Sequence, residues 1–177
     1  RRASDVVGRL RRLVERPDLV GQAQPLQLPA AVHDVLHLLE PECRARAVAP
    51  TLHAAPGLPA VRAEPVALQQ IVHNLVMNAL QALEQVPAAE RQLELHLTIP
   101  TPGQVQLTVR DHGPGIPPEA REHLFEPFYT TRTGGLGLGL PLCESLAQAM
   151  GARLALAPAQ GRGAAFVLTL PAATTEA

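Results

Sequence analysis

Leu68, Ile71, Val72, Leu75, Val76, Ala79, Leu80 and Leu83 recur in an i, i+3, i+4, i+7 rhythm, which gathers them on one face of a helix. Pro65 falls in the first turn, where a missing N–H breaks no helical bond. This pattern predicts the core helix of the chain. The period then changes to two: Leu93, Leu95, Leu97 and Ile99 alternate along residues 91–99, and Val105, Leu107 and Val109 alternate after Pro102-Gly103. The two runs predict a hairpin whose apolar side packs inward.

Downstream, Leu142, Leu146, Ala149 and Met150 predict a second helix ending near Gly151. Strands are expected at 153–157 and 165–170, on either side of Gly161-Arg162-Gly163. Upstream, Val32, Val35, Leu36 and Leu39 predict an amphipathic helix over 31–46, kinked or ended early by Pro41. Shorter strands are expected at 26–28, 47–53 and 60–63, the last two flanking Pro56-Gly57. Helices and strands mix without a strict βαβ repeat. The expected fold is α+β, a two-layer α/β sandwich with helices on one face of a mixed, mostly antiparallel sheet.

Residues 1–16 carry six arginines and space Ala3, Val6, Leu10 and Leu13 by alternating threes and fours, the pattern of a narrow helix–helix seam. They read as the end of a helix whose beginning lies upstream. Pro17, Gly21, Pro25 and Pro29 break helical continuity, so a linker is expected over 17–25, a main domain over 26–171 and a tail over 172–177. An opening Arg1-Arg2 in place of Met, with no apolar signal segment, suggests part of a longer protein.

With 177 residues, 46% of them hydrophobic, the chain can bury one core plus a short appendage. A net charge of −1 gives no electrostatic footprint for nucleic acid. No apolar run approaches the roughly 20 residues of a membrane span, and Cys43 and Cys143 match no metal or redox spacing, so free buried thiols and a cytoplasmic setting are expected. The sequence has no lysine. That excludes the lysine-dependent phosphate loops of P-loop enzymes and of eukaryotic-type protein kinases.

Asp111 shares the parity of Val105, Leu107 and Val109, so a carboxylate continues an inward apolar row. Such a group needs a partner. An adenine amino group is one; a turn in which Asp111 caps the following Gly-Pro-Gly is the other. Gly113 and Gly115 would let backbone approach a flat base. At about 100° per residue, Asn74 and Asn78 border the apolar helix face beside Gln70, Gln81 and Gln85, either as an ordinary polar flank or as amides reaching a ligand. An amide oxygen suits Mg²⁺. His73 falls at the other edge and reads as structural. Gly135, Leu136, Gly137, Leu138, Gly139 and Leu140 lead into the second helix, whose N-terminus can receive phosphate. Glycine at this density suggests a mobile lid over the phosphates, with Arg132 the cation expected near them.

Taken in order, Gln70-x-x-x-Asn74-Leu75-x-x-Asn78-Ala79, Asp111-x-Gly113-x-Gly115, Phe125-Glu126-Pro127-Phe128, Gly135 to Gly139 and Gly161-x-Gly163 closely resemble the boxes of the ATP-binding domain of bacterial sensor histidine kinases. These are relatives of gyrase, Hsp90 and MutL. The resemblance covers about residues 26–171, and the short lid with Tyr129-Thr130-Thr131-Arg132 is most similar to nitrogen- and dicarboxylate-sensing kinases. It implies the α/β sandwich of that family, ATP and Mg²⁺ as ligands, and a homodimer in the full-length protein, any membrane anchor of which is expected outside this chain. Asp111 would meet the adenine amino group, Asn78 would hold Mg²⁺, Asn74 would contact phosphate or its water shell, and the Gly135–Gly139 backbone would cradle phosphates.

Hydrolysing relatives carry a glutamate where this chain has Asn74, so a positioned base is missing and transfer to a protein histidine is favoured. Gln81 departs from a basic position of the family, and Ala164 and Ala165 from a hydroxyl position. None of the histidines at 33, 37, 53, 73, 96, 112 and 123 has the sequence context of a phosphoacceptor. The acceptor is therefore expected upstream, on phosphotransfer helices that pass the phosphoryl to a response regulator aspartate. The alternatives are a degenerate kinase acting as a nucleotide-regulated binding module and an anti-sigma-factor serine kinase, the latter disfavoured by Asn74 and by the helical N-terminal segment.

Overall fold

The computed structural model describes residues 22–129 and 139–174. In chain order the elements are β1 (Gln24–Leu26), α1 (Leu28–Leu38), α2 (Glu40–Ala45), β2 (Thr51–Ala54), β3 (Val61–Ala63), α3 (Pro65–Leu83), β4 (Leu93–Thr98), β5 (Gln104–Asp111), α4 (Pro118–Arg121), α5 (Gly139–Ala149), β6 (Arg153–Leu156) and β7 (Ala164–Pro171). The main sheet runs β2-β4-β5-β7-β6. Its β2–β4 pair is parallel and the other neighbours are antiparallel. A separate antiparallel ribbon joins β1 to β3. The expected sandwich is present: α1, α3 and α5 bury their apolar stripes on one side of the sheet.

Register explains the core. Across β4, β5 and β7, Leu95 faces Val109, Leu97 faces Leu107, Leu107 faces Leu168, and Val105 faces Leu170. All of these side chains are buried, so one side of three adjacent strands forms a continuous apolar surface under α3. Leu107 lies at its centre and is fully enclosed. Leu107→Ala is expected to cost about 3 kcal/mol, the lost transfer energy plus a cavity. Urea denaturation measures it, and a loss below about 1 kcal/mol would mean that the neighbouring strands collapse into the space.

The core helix spans Pro65–Leu83 with Pro65 in its first turn, as the periodicity predicts. Its cap is not legible in sequence: the buried Glu64 carboxylate accepts from the Val66 and Ala67 N–H groups at 3.2 and 2.6 Å, offsetting two of the orphan donors of a helix start.

Boundaries differ upstream. The first strand lies at Gln24–Leu26 instead of 26–28, because Leu28 already begins α1 and Pro29 fits its first turn instead of breaking it. The helix expected over 31–46 divides at Leu39 (φ −91°, ψ 5°), with Pro41 opening α2. Ala47 then adopts φ 54° as α2 ends, which delays β2 to Thr51. Ile99 lies beyond β4 and is exposed. Cys43 and Cys143 are free and buried, and burial raises both thiol pKa values. Among the described residues no helix is long and apolar enough to cross a membrane. Residues 1–16, most of the 17–25 linker and the last three residues of the tail lie outside the described residues.

Candidate functional site

Asp111 ends β5 on its inward side, opposite Leu93 of β4 and Ala164 of β7. Only 5% of it is exposed. Its Oδ1 accepts the Gly113 N–H at 2.9 Å, so the turn-capping alternative is realised. The two readings are compatible, because the same residue lines a cleft with Asn78, Ala82, Gly115, Ile116, Leu124, Leu140 and Phe166. Apart from Asp111 and the Asn78 amide, the cleft is walled by aliphatic and aromatic side chains and by glycine backbone.

The glycines around it carry a backbone-on-backbone contact. A Cβ on Gly113 would stand 2.9 Å from Asp111 Oδ1 and 3.2 Å from the Ala82 carbonyl. Gly115 has φ 84°, and a Cβ there would meet the Gly163 carbonyl oxygen at 3.2 Å. Gly163 has φ 96°, and its Cβ would fall 1.9 Å from the Asp111 carbonyl oxygen. Two glycine motifs some fifty residues apart thus pack on each other beside the carboxylate. Gly115 meets Gly163 on one side and lines the cleft on the other.

Asn74 and Asn78 occupy one side of α3, but they meet different neighbours. Asn78 lines the cleft. Asn74 lies at the α3–α5 contact, where its Nδ2 donates to Cys143 Sγ at 3.4 Å and its Oδ1 accepts from Gln70 Nε2 at 3.3 Å. That bond opposes the effect of burial on Cys143, whose thiol is still pushed up to about 11. His73 lies on the same helix with its Nδ1 buried.

Gly139 begins α5, and Leu140 behind it lines the cleft. Arg132 and Gly135, Leu136, Gly137 and Leu138 lie outside the described residues. Sequence reading missed Phe166, Ile116 and Leu124 as walls. Phe166 has a signal in hindsight: it shares the inward parity of Leu168 and Leu170 on β7, and Phe125 meets its ring edge-on with centroids 6.5 Å apart and planes at 85°. Phe128, in the same motif as Phe125, is exposed and takes φ 68°.

The cleft has the chemistry of a planar, heteroaromatic ligand with an exocyclic donor: one carboxylate acceptor, one amide and aliphatic or aromatic walls. Its described lining contains no basic side chain.

The family described as histidine kinase-, DNA gyrase B- and HSP90-like ATPase matches residues 63–174. The sensor histidine kinase TmoS of Ectopseudomonas mendocina is 33% identical over 171 residues, 96% of this chain and 17% of that protein. The C4-dicarboxylate transport sensor protein DctB of Pseudomonas aeruginosa is 42% identical over 132 residues, 73% of this chain and 21% of that protein. The chain thus spans about a fifth of these two relatives. Among solved structures, the catalytic domain of histidine kinase ThkA in a nucleotide-free form superposes with a TM-score of 0.75 at 25% identity, covering 86% of this chain and 97% of that one. Full-length ShkA in complex with AMPPNP gives a TM-score of 0.73 at 30% identity, covering 88% of this chain and 32% of that one.

Proposed function

The chain belongs to the histidine kinase-, DNA gyrase B- and HSP90-like ATPase family, as the ATP-binding catalytic domain of a bacterial sensor histidine kinase, and from this premise we propose that it holds Mg-ATP for phosphoryl transfer to a histidine of phosphotransfer helices. The observation that carries the site assignment is the buried Asp111 carboxylate at the end of an apolar strand row, opening into the cleft that Asn78 shares. Asp111 accepts the adenine amino group, while Ile116, Leu124 and Phe166 enclose the ring. Asn78 supplies an amide oxygen to Mg²⁺, which neutralises phosphate charge. Asn74 contacts phosphate or its water shell after exchanging its bond to Cys143. The Gly135–Gly139 backbone, Leu136, Leu138, Leu140 and Arg132 cover the phosphate end.

Asn74 is neutral and bonds a thiol, so it provides no base to activate water. Transfer to a positioned protein nucleophile then depends on alignment and charge stabilisation. The acceptor histidine, a homodimer, the partner response regulator and a kinase of the dicarboxylate- or nitrogen-sensing type belong to this proposal. So does the location: a cytoplasmic catalytic part of a protein that is anchored elsewhere in its chain.

Calorimetric titration tests the metal role. Asn78→Ala is expected to weaken ATP binding about tenfold with Mg²⁺, equivalent to about 1.4 kcal/mol, and to leave the affinity in excess chelator nearly unchanged. Equal loss in both conditions would assign Asn78 to the base or ribose. Addition of a phosphotransfer hairpin then separates kinase from binding module: acid-labile phosphate on the hairpin histidine supports transfer, and nucleotide binding without it supports the module.

A further inference from the structure

We propose that the outer face of the sheet carries a site for a divalent transition-metal ion of the Zn²⁺ or Ni²⁺ class, held by the imidazoles of His53 and His96 and the carboxylate of Glu94. The site is independent of the nucleotide reading. Leu93, Leu95 and Leu97 point into the core, so the alternate residues Glu94 and His96 project from the opposite face of β4. Parallel pairing sets His53 of β2 directly opposite His96. Their rings stack with centroids 4.9 Å apart and planes at 18°. One donor atom from each of His53, Glu94 and His96 lies within 4.8 Å of the others.

Metal–nitrogen and metal–oxygen bonds of about 2.0–2.2 Å bring tetrahedral donors to roughly 3.4 Å from one another. The donors therefore close on an ion by side-chain rotation, while two hydrogen-bonded strands fix their Cα atoms. Glu94 is also supported from outside the trio: His112 Nε2 lies 3.0 Å from Glu94 Oε2, the kind of outer hydrogen bond that orients a ligating carboxylate.

The adverse charge is Arg110, opposite Glu94 on β5. Its guanidinium donates to the Gln160 carbonyl at 3.1 Å, a bond directed to the β6–β7 connection. Two imidazoles and one carboxylate, with a fourth position for water, suit borderline transition metals and not Mg²⁺. An ion here would tie the short strand β2 to β4.

The test is titration of the 177-residue chain with NiCl2, followed by calorimetry and by the histidine resonances in NMR. We expect one saturable equivalent that perturbs His53 and His96, with a rise in Tm. His53→Ala and His96→Ala should each weaken binding at least about tenfold, and His112→Ala less than either. The rival is His33 with His37, an exposed i, i+4 pair on α1 that can also chelate. His33→Ala/His37→Ala is expected to leave the affinity unchanged. Binding lost in that variant, binding unaltered in a folded His53→Ala/His96→Ala variant, or no saturation at all would overturn the proposal. Circular dichroism verifies that the variants fold, since these substitutions alter outward-facing positions.

Discussion

Asp111→Asn is expected to lower ATP affinity about 100-fold, or about 2.7 kcal/mol, with the fold retained. The amide oxygen of asparagine can still accept the Gly113 N–H that Asp111 Oδ1 now accepts at 2.9 Å. The turn after β5 therefore keeps its cap. What changes is the other end of the group, where an acceptor-only carboxylate becomes an NH2 donor facing the adenine amino group. A hydrogen bond to a charged group contributes about 1.5–3 kcal/mol, and donor now opposes donor. Inosine triphosphate provides the inverse case, because its ring carries a carbonyl in place of the amino group. Its affinity should rise in the variant relative to ATP. Calorimetry with both nucleotides measures the exchange, and an unchanged ATP affinity in a folded variant would remove Asp111 from base recognition.

Gly163→Ala should produce the largest loss of stability at the site, about 3 kcal/mol or more. Its φ of 96° already disfavours a side chain, and the added methyl would fall 1.9 Å from the Asp111 carbonyl oxygen. Neither contact can be relieved by rotating a side chain. Backbone must move, and the backbone in question carries Asp111, so nucleotide affinity should fall together with stability. Gly161→Ala supplies the control: φ is 69° but nothing lies within 4 Å of a Cβ, so the cost should be about 1 kcal/mol and binding should be preserved. Urea denaturation and ATP titration of both variants would decide the matter. Equal stabilities would show that the two glycine loops do not constrain each other.

These two residues also mark how far the sequence could be read. The inward parity of Asp111 with Val105, Leu107 and Val109 was legible, since alternation is a local property of a strand. The packing of Gly163 on Asp111 was not, because it joins residues separated by α4, α5 and β6. Asn78 and Asn74 look equivalent on a helical projection. Only the position of α5 sends Asn74 to Cys143 and leaves Asn78 in the cleft. The shift of the first strand and the division of the 31–46 helix follow from proline, which fits a first turn as well as it breaks an interior.

By itself the sequence determined the core helix, the central hairpin, the final helix and strands, and the order of the nucleotide-binding motifs, because period and motif spacing are written along the chain. Tertiary structure alone decided the parallel pairing of β2 with β4, the facing of His53 and His96, the contribution of Phe166 to the cleft and the meeting of Gly115 with Gly163. Each of these depends on which distant segments lie side by side, and burying the shared apolar face of β4, β5 and β7 under the helices is what brings those segments together.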